Sequence, residues 1–400
     1  MLEQDPIPLM MRVAEAVGSG LRGLGVPLFK FTPEALLQAA RRQTGLTGFD
    51  ADANFHEALE RLCASAENDG DLHFLGRTGI HGMFVTALRQ RLLLMDLRRR
   101  EPKRLETPLE NPLLVVGFPR SGTTLLHRLL ALANDARSLA AWEVQHPLPP
   151  VSGPDRRRQA TRVQFKRIHQ MVPSLALKHS MTADDPEEDF WLLNPSLHSP
   201  TFFVFAPLTG YEEWFRAQDM REPYRMWASL LSNFQSSSPD HRLTLKSPSH
   251  LGHVDAAVAA VPQLGIVQVH RDPVEVLGSL NSLIHTLYAT VSRRSDPTAL
   301  GRRNLERLRL AGEDNVRART QVADHILDVE YEDLRRDPVA LIEHTHTHFS
   351  IPFTDDHAEK IRAYMAQRPQ HQHGRHEYDL AECGLSESEV RQELGSLWKR

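Results

Sequence analysis

The residue types best suited to hold an anion are concentrated in Gly117-Phe118-Pro119-Arg120-Ser121-Gly122-Thr123-Thr124, directly after the apolar run Leu113 to Val116. A buried strand, a tight glycine-bearing loop and a following helix cradle a phosphate group. Backbone N–H groups at the helix start point into the loop, where the helix dipole favours negative charge. Gly117, four residues and Gly122 nearly reproduce the nucleoside-triphosphate loop, but Thr123 stands where that loop carries a lysine for the β- and γ-phosphates. Arg120 supplies a cation half a loop earlier. The pattern points to a phosphate-bearing ligand from which no γ-phosphoryl group is transferred. A second anion signal is Val269-His270-Arg271-Asp272-Pro273, with Ser279 eight positions beyond Arg271. Arginine offers a forked, permanently charged donor set, and Pro273 suits the first turn of a helix.

Phe118 to Thr124 resembles the 5′-phosphosulfate-binding loop of sulfotransferases, which use 3′-phosphoadenosine 5′-phosphosulfate as sulfuryl donor. Gly265 to Pro273, followed by Ser279, resembles the family's 3′-phosphate site. Between them, Leu245-Lys246-Ser247-Pro248-Ser249-His250-Leu251 is similar to the Leu-Lys-x-Pro-x-His-Leu segment of a large, mostly bacterial sulfotransferase group. Ala141-Trp142-Glu143 resembles that group's Trp-Glu pair, and Gly374 to Leu380 its closing signature; Cys383 departs from the Phe common before Gly384. The similarity spans about residues 111 to 385. It implies that Arg120, Ser121, Gly122, Thr123 and Thr124, with Arg271 and Ser279, bind the donor cosubstrate, and it implies no metal.

Sulfuryl transfer to an alcohol requires a base, donors for the leaving phosphate, and in-line alignment. Glu143 is the expected base, since related sulfotransferases place a glutamate roughly 20 residues beyond the loop arginine. His250 is the rival, because imidazole titrates near neutrality without special tuning. Lys246 and Arg120 are expected to neutralise charge on the departing phosphate. The expected acceptor is a hydroxyl of a small-molecule, lipid or carbohydrate compound, favoured over an amine because the candidate base is a carboxylate.

Positioning these residues calls for an α/β architecture: a P-loop-type parallel sheet flanked by helices. Strands are predicted at Leu113 onward, Leu243 to Lys246, Ile266 to His270 and His325 to Val329, separated by helical patterns that argue for βαβ units. Gly117, Lys246 and His270 then all end strands, and ligands bind beyond the carboxyl ends of such strands. Apolar spacing at Leu36, Leu37 and Ala40, and again at Phe55, Leu59 and Leu62, predicts helix from Pro33 to Arg100. The organisation expected is a helical N-terminal extension over 1–110 and a catalytic α/β domain over 111–400. A helical insertion at 150–239, carrying Phe190, Trp191, Phe202, Phe203, Phe205, Tyr211 and Trp214, would form an acceptor pocket or lid. The acidic run Asp184 to Asp189 is expected to open a helix, with Glu187 or Glu188 able to face substrate.

The 400 residues carry 47 Lys and Arg against 51 Asp and Glu, a formal net charge of −4, which leaves no electrostatic footprint for nucleic acid. Two cysteines argue against a disulfide framework. The N-terminal residues lack a secretion signal and no apolar run is long enough to cross a bilayer, so a cytoplasmic protein is expected. Of the 21 histidines, His344, His346 and His348 alternate on a predicted helix, while His371, His373 and His376 fall in a predicted loop. Without thiolate or organised carboxylate companions they are read as structural, and no metal is expected. Two other readings are a nucleotide-dependent kinase, opposed by Thr123, and a nucleotide-binding module without turnover, opposed by the candidate catalytic residues.

Overall fold

The computed structural model describes residues 9–24, 28–50, 52–178, 182–293, 296–367 and 380–397. Its centre is one sheet of five parallel strands in the order β2-β3-β1-β4-β5. These are β1 (Leu113–Gly117), β2 (Ala136–Arg137), β3 (Arg242–Lys246), β4 (Gly265–His270) and β5 (Ile326–Glu330). Every residue of β1 is buried because both faces of the sheet are covered. Successive side chains point to opposite faces. Leu113 and Val115 accordingly join a core with Leu126, Leu129 and Val267, whereas Leu114 and Val116 join one with Phe84, Leu88 and Trp227.

The expected strands appear within a residue of their predicted ends; His325 belongs instead to a short 3-10 turn before β5. Strand β2 was not anticipated. At two residues it carries no readable pattern, and its pairing with β3 (Ala136 with Arg242, Arg137 with Leu243) is what makes it a strand. The N-terminal segment holds α1 (Leu9–Gly23), α2 (Pro33–Thr44), α3 (Ala53–Asn68) and α4 (Phe74–Arg100). The single helical stretch expected from Pro33 is thus interrupted. Gly45, at φ +72°, ends α2 in a left-handed turn, and the Asp52 carboxylate caps α3 by accepting from Asn54 N at 3.0 Å. Phe84 and Leu88 of α4 share their core with the sheet, so this segment buries its apolar face on the strands.

The helices that serve the site are α5 (Thr123–Leu130), α6 (Ala141–Gln145) and α7 (Arg157–Met171), followed by a helix at Pro273–Ala289 directly after β4. Asp272 caps the last of these, accepting from Val274 N at 2.8 Å, with Pro273 in its first turn. Register places Val115 beside Lys246, Gly117 beside Val269 and His270 beside Glu330. The chain therefore leaves β3, β1, β4 and β5 along one edge of the sheet. Among the described residues no helix is long and apolar enough to cross a membrane.

Candidate active site

The loop after β1 is shaped by two glycines. Gly117 lies at φ +149°, and a Cβ there would sit 2.6 Å from the Val269 carbonyl oxygen and 2.8 Å from Ser121 Oγ. Gly122 lies at φ +98°, and a Cβ there would strike the Tyr331 ring at 2.4 Å. Arg120 adopts φ +71°, a left-handed conformation that non-glycine residues enter at a cost. The loop amide of Ser121 closes a turn on the Phe118 carbonyl at 3.1 Å, and α5 then begins at Thr123. N–H groups in a first turn have no intrahelical acceptor, and Thr123 and Thr124 lie on the wall of a cavity of about 340 Å³.

Arg120 Nε donates to Ser279 Oγ at 2.9 Å, and Arg271 Nη1 donates to the Arg120 carbonyl at 2.9 Å. Two motifs about 150 residues apart in sequence thus meet in one cluster. The Arg271 guanidinium stacks 4.3 Å from the Tyr331 ring centroid, while Glu275 accepts from its Nε and Nη2 at 3.0 and 2.5 Å. Tyr331 begins the helix immediately after β5, so one ring both bounds Gly122 and carries Arg271.

Behind the loop is a chain of buried charge. Lys246, at the tip of β3 and 1% exposed, donates from Nζ to Glu188 Oε1 at 2.9 Å. His250 is fully buried: Nδ1 lies 2.6 Å from Tyr224 Oη and Nε2 lies 3.0 Å from Asp189 Oδ2. Trp227 Nε1 donates to the same Asp189 oxygen at 2.7 Å. Burial opposes ionisation of Asp189, yet the facing His250 and the Trp227 N–H hold its carboxyl below the usual range. His127, buried under the loop with Nε2 donating to the Thr244 carbonyl at 2.9 Å, is pushed down to about 4 by burial and by Lys246. The acidic run 184–189 therefore acts less as a helix opener than as a set of ion partners. Only Asp189 enters a helix, the 3-10 segment Asp189–Ser196, and Asp184 pairs with Arg158 and Arg162.

Of the residues read from sequence, Arg120, Gly122, Thr123, Thr124 and Arg271 line the cavity. Ser121 and Ser279 are buried behind its wall, and the Ser121 hydroxyl has no hydrogen-bond partner among the described residues. Lys246 reaches the cavity through Glu188, which lines it. Glu143 is engaged elsewhere: one oxygen accepts from Arg137 Nη2 at 2.7 Å and the other from Ala140 N at 2.9 Å, fixing the start of α6. Phe190, Trp191 and Phe205 line the cavity, whereas Phe202 and Tyr211 are fully buried in the core. Sequence reasoning missed Tyr331, which packs on Gly122 and Arg271, and the cavity-lining Gln145 with the stripe Leu280, Leu283, Ile284 and Leu287. The i, i+3, i+4, i+7 spacing of that stripe was the available signal. Gly374 to Asp379, His371, His373 and His376 lie outside the described residues. Among the described residues no cluster of His, Cys, Asp and Glu has the arrangement of a metal site.

The family model described as the sulfotransferase family matches residues 112–355. The chain belongs to the sulfotransferase family. Omega-hydroxy-beta-dihydromenaquinone-9 sulfotransferase Stf3 of Mycobacterium bovis, and its counterpart from Mycobacterium tuberculosis, are each 24% identical over 268 residues. The match covers 64% of this chain and 66% of theirs, just under two thirds of those relatives' length. The crystal structure of sulfotransferase STF1 from Mycobacterium tuberculosis superposes with a TM-score of 0.79 at 27% identity, covering 91% of this chain and 98% of that one. Sulfotransferase STF9 from Mycobacterium avium gives a TM-score of 0.81 at 27% identity, covering 91% and 95%. The sheet and loop described above are thus those of a sulfotransferase.

Proposed function

We propose that this family member transfers a sulfuryl group from 3′-phosphoadenosine 5′-phosphosulfate to a hydroxyl borne on an apolar acceptor. The observation that carries the reading is the junction of Arg120 with Arg271 and Ser279 at one cavity mouth. One nucleotide with phosphate on both sides of its ribose would span those two motifs. The residues fit such a donor. The two glycines let the loop pack closely against Val269 and Tyr331, and among the described residues the buried Ser121 hydroxyl has no hydrogen-bond partner and Arg120 no carboxylate partner. Bound there, the donor supplies the sulfuryl group on a phosphate leaving group.

The chain's own part is alignment and charge. First-turn amides of α5 and Arg120 would hold the leaving phosphate as the S–O bond breaks. Arg271 and Ser279 would hold the 3′-phosphate. We assign proton acceptance to Glu188, because it faces the cavity while Glu143 is held by Arg137 and the α6 amide. Lys246 then positions Glu188, and His250, with both ring nitrogens bonded to protein, positions Asp189 and the segment after β3. Opposite the loop the wall is apolar: Phe190, Trp191, Val204, Phe205, Leu280 and Ile284. Such a wall selects an acceptor with a hydrocarbon or aromatic body. A hydroxyl acceptor agrees with the relative named for an omega-hydroxy dihydromenaquinone.

The test is two measurements on the purified protein: calorimetric binding of adenosine 3′,5′-bisphosphate, and label transfer from sulfur-labelled donor to farnesol, a sterol and glucose. Nucleotide binding with transfer to an apolar alcohol supports the reading. Absence of nucleotide binding removes the donor assignment, and transfer only to glucose removes the apolar acceptor.

A further inference from the structure

A second cavity, of about 420 Å³, lies beyond α6 and has a different character. It is bounded by α2, α4 and the chain from His146 into α7, and three arginines, Arg89, Arg156 and Arg157, reach its wall. We propose that it binds a small oxyanion, a phosphate monoester or a carboxylate, on Arg89 of α4.

Among the described residues, this cavity holds charge that the protein leaves uncompensated. Arg77, Arg91, Arg137, Arg242 and Arg307 are buried or half-buried, and each pairs with a carboxylate: Glu67, Asp50, Glu143, Asp135 and Glu212 respectively. Arg89 is half-buried and has none among the described residues. Its Nη1 donates to Gln43 Oε1 at 3.3 Å, and its Nη2 lies 3.5 Å from His146 Nδ1, both neutral acceptors. Burial draws its pKa below the ordinary arginine value, the mark of a desolvated cation with no counter-charge. The neighbouring His146 is itself held neutral, down to about 4, by burial beside Arg89 and Arg157.

The other charges at the cavity do not cancel Arg89. Asp155 is committed to Arg157, accepting from Nε and Nη2 at 2.8 to 3.0 Å, and Arg157 Nη1 donates to the His146 carbonyl at 2.7 Å. Arg157 also stacks on Trp142 at 4.9 Å, so it serves as a wall. Arg156 is exposed, has no carboxylate partner among the described residues and lines the same space. Three cations face one acid. Arg120, on the wall of the donor cavity, likewise has no carboxylate partner among the described residues, and a phosphate is its proposed partner. A desolvated guanidinium without a counter-charge lowers stability, and an oxyanion with two oxygens for its planar fork removes that penalty. Ser152, Gln164 and Thr44 add neutral hydrogen-bonding groups around it. Gln145 lines the donor cavity and His146 this one, so α6 is the shared partition.

The experiment titrates the full chain with inorganic phosphate and with citrate by calorimetry, in the presence of adenosine 3′,5′-bisphosphate, alongside Arg89→Gln and the surface control Arg162→Gln. The proposal expects saturable binding of at least one probe that weakens with added salt. It expects an at least tenfold loss in Arg89→Gln, and parental affinity in Arg162→Gln. It also expects the anion to raise the thermal midpoint of the parent and not of Arg89→Gln, while that variant without anion unfolds no earlier than the parent. Binding that is absent, or equal in Arg89→Gln and the parent, overturns it. So does early unfolding of Arg89→Gln without anion, since the guanidinium would then have been compensated. Dependence on Arg89 assigns the site whether or not the donor nucleotide binds elsewhere.

Discussion

Replacing Arg271 with alanine isolates one half of the proposed donor site. In the protein the guanidinium donates a charge-assisted hydrogen bond to the Arg120 carbonyl at 2.9 Å and forms an ion pair with Glu275. The Glu275 side chain is 58% exposed, so that pair contributes at most about 1 kcal/mol. Hydrogen bonds to a charged phosphate are each worth about 1.5–3 kcal/mol. Losing them should weaken adenosine 3′,5′-bisphosphate by about 3 kcal/mol, roughly a hundredfold. The lost bond to Arg120 loosens the phosphate loop by about 1.5 kcal/mol, so a nucleotide with only a 5′-phosphate should weaken about tenfold. Calorimetry with both nucleotides reads the difference directly. Equal losses for the two would refute the 3′-phosphate assignment, and an unchanged affinity for both would remove Arg271 from the site.

Three further outcomes follow from the geometry. Glu188→Gln should lower turnover of farnesol about a hundredfold or more, the scale of a general base, with nucleotide affinity kept; Glu143→Gln should lose about 1–3 kcal/mol of stability through its α6 and Arg137 bonds but less than tenfold in turnover. The reverse order in a kinetic comparison would put the base on Glu143. Gly122→Ala should abolish measurable nucleotide binding while leaving far-ultraviolet circular dichroism intact, because the added methyl meets the Tyr331 ring at 2.4 Å at a position held at φ +98°; parental binding in that variant would contradict it. His127 is held at about 4 in the folded protein and returns to about 6.5 when unfolded, so the unfolded chain binds more protons between those values. Its contribution is complete above pH 6.5 and falls as the pH drops toward 4, by about 2 kcal/mol at pH 5. Denaturant titrations at pH 7.5 and pH 5 should differ less in His127→Gln by that amount, and an unchanged difference would show that His127 is not the titrating group.

Much of this protein was legible along the chain because its evidence is local. The apolar run of β1, the glycines at 117 and 122, and the Asp272-Pro273 helix start are written in adjacent residues, since strand burial, positive φ and capping are decided over a few positions. Arg271, just after β4, and Ser279, on the helix that follows, were readable for the same reason. What the chain order left undecided were the pairings across distance. Glu188 sits 58 residues from Lys246, and Asp189 sits 61 from His250. Nothing in either segment marks these as partners, because an ion pair depends on where two backbones lie in space. The same holds for Glu143, whose sequence neighbours give no sign that Arg137 and the Ala140 amide each hydrogen-bond one of its oxygens. Local sequence determined the strands, the loop and the cations; tertiary packing alone decided which carboxylates face the cavity and which are bound behind it.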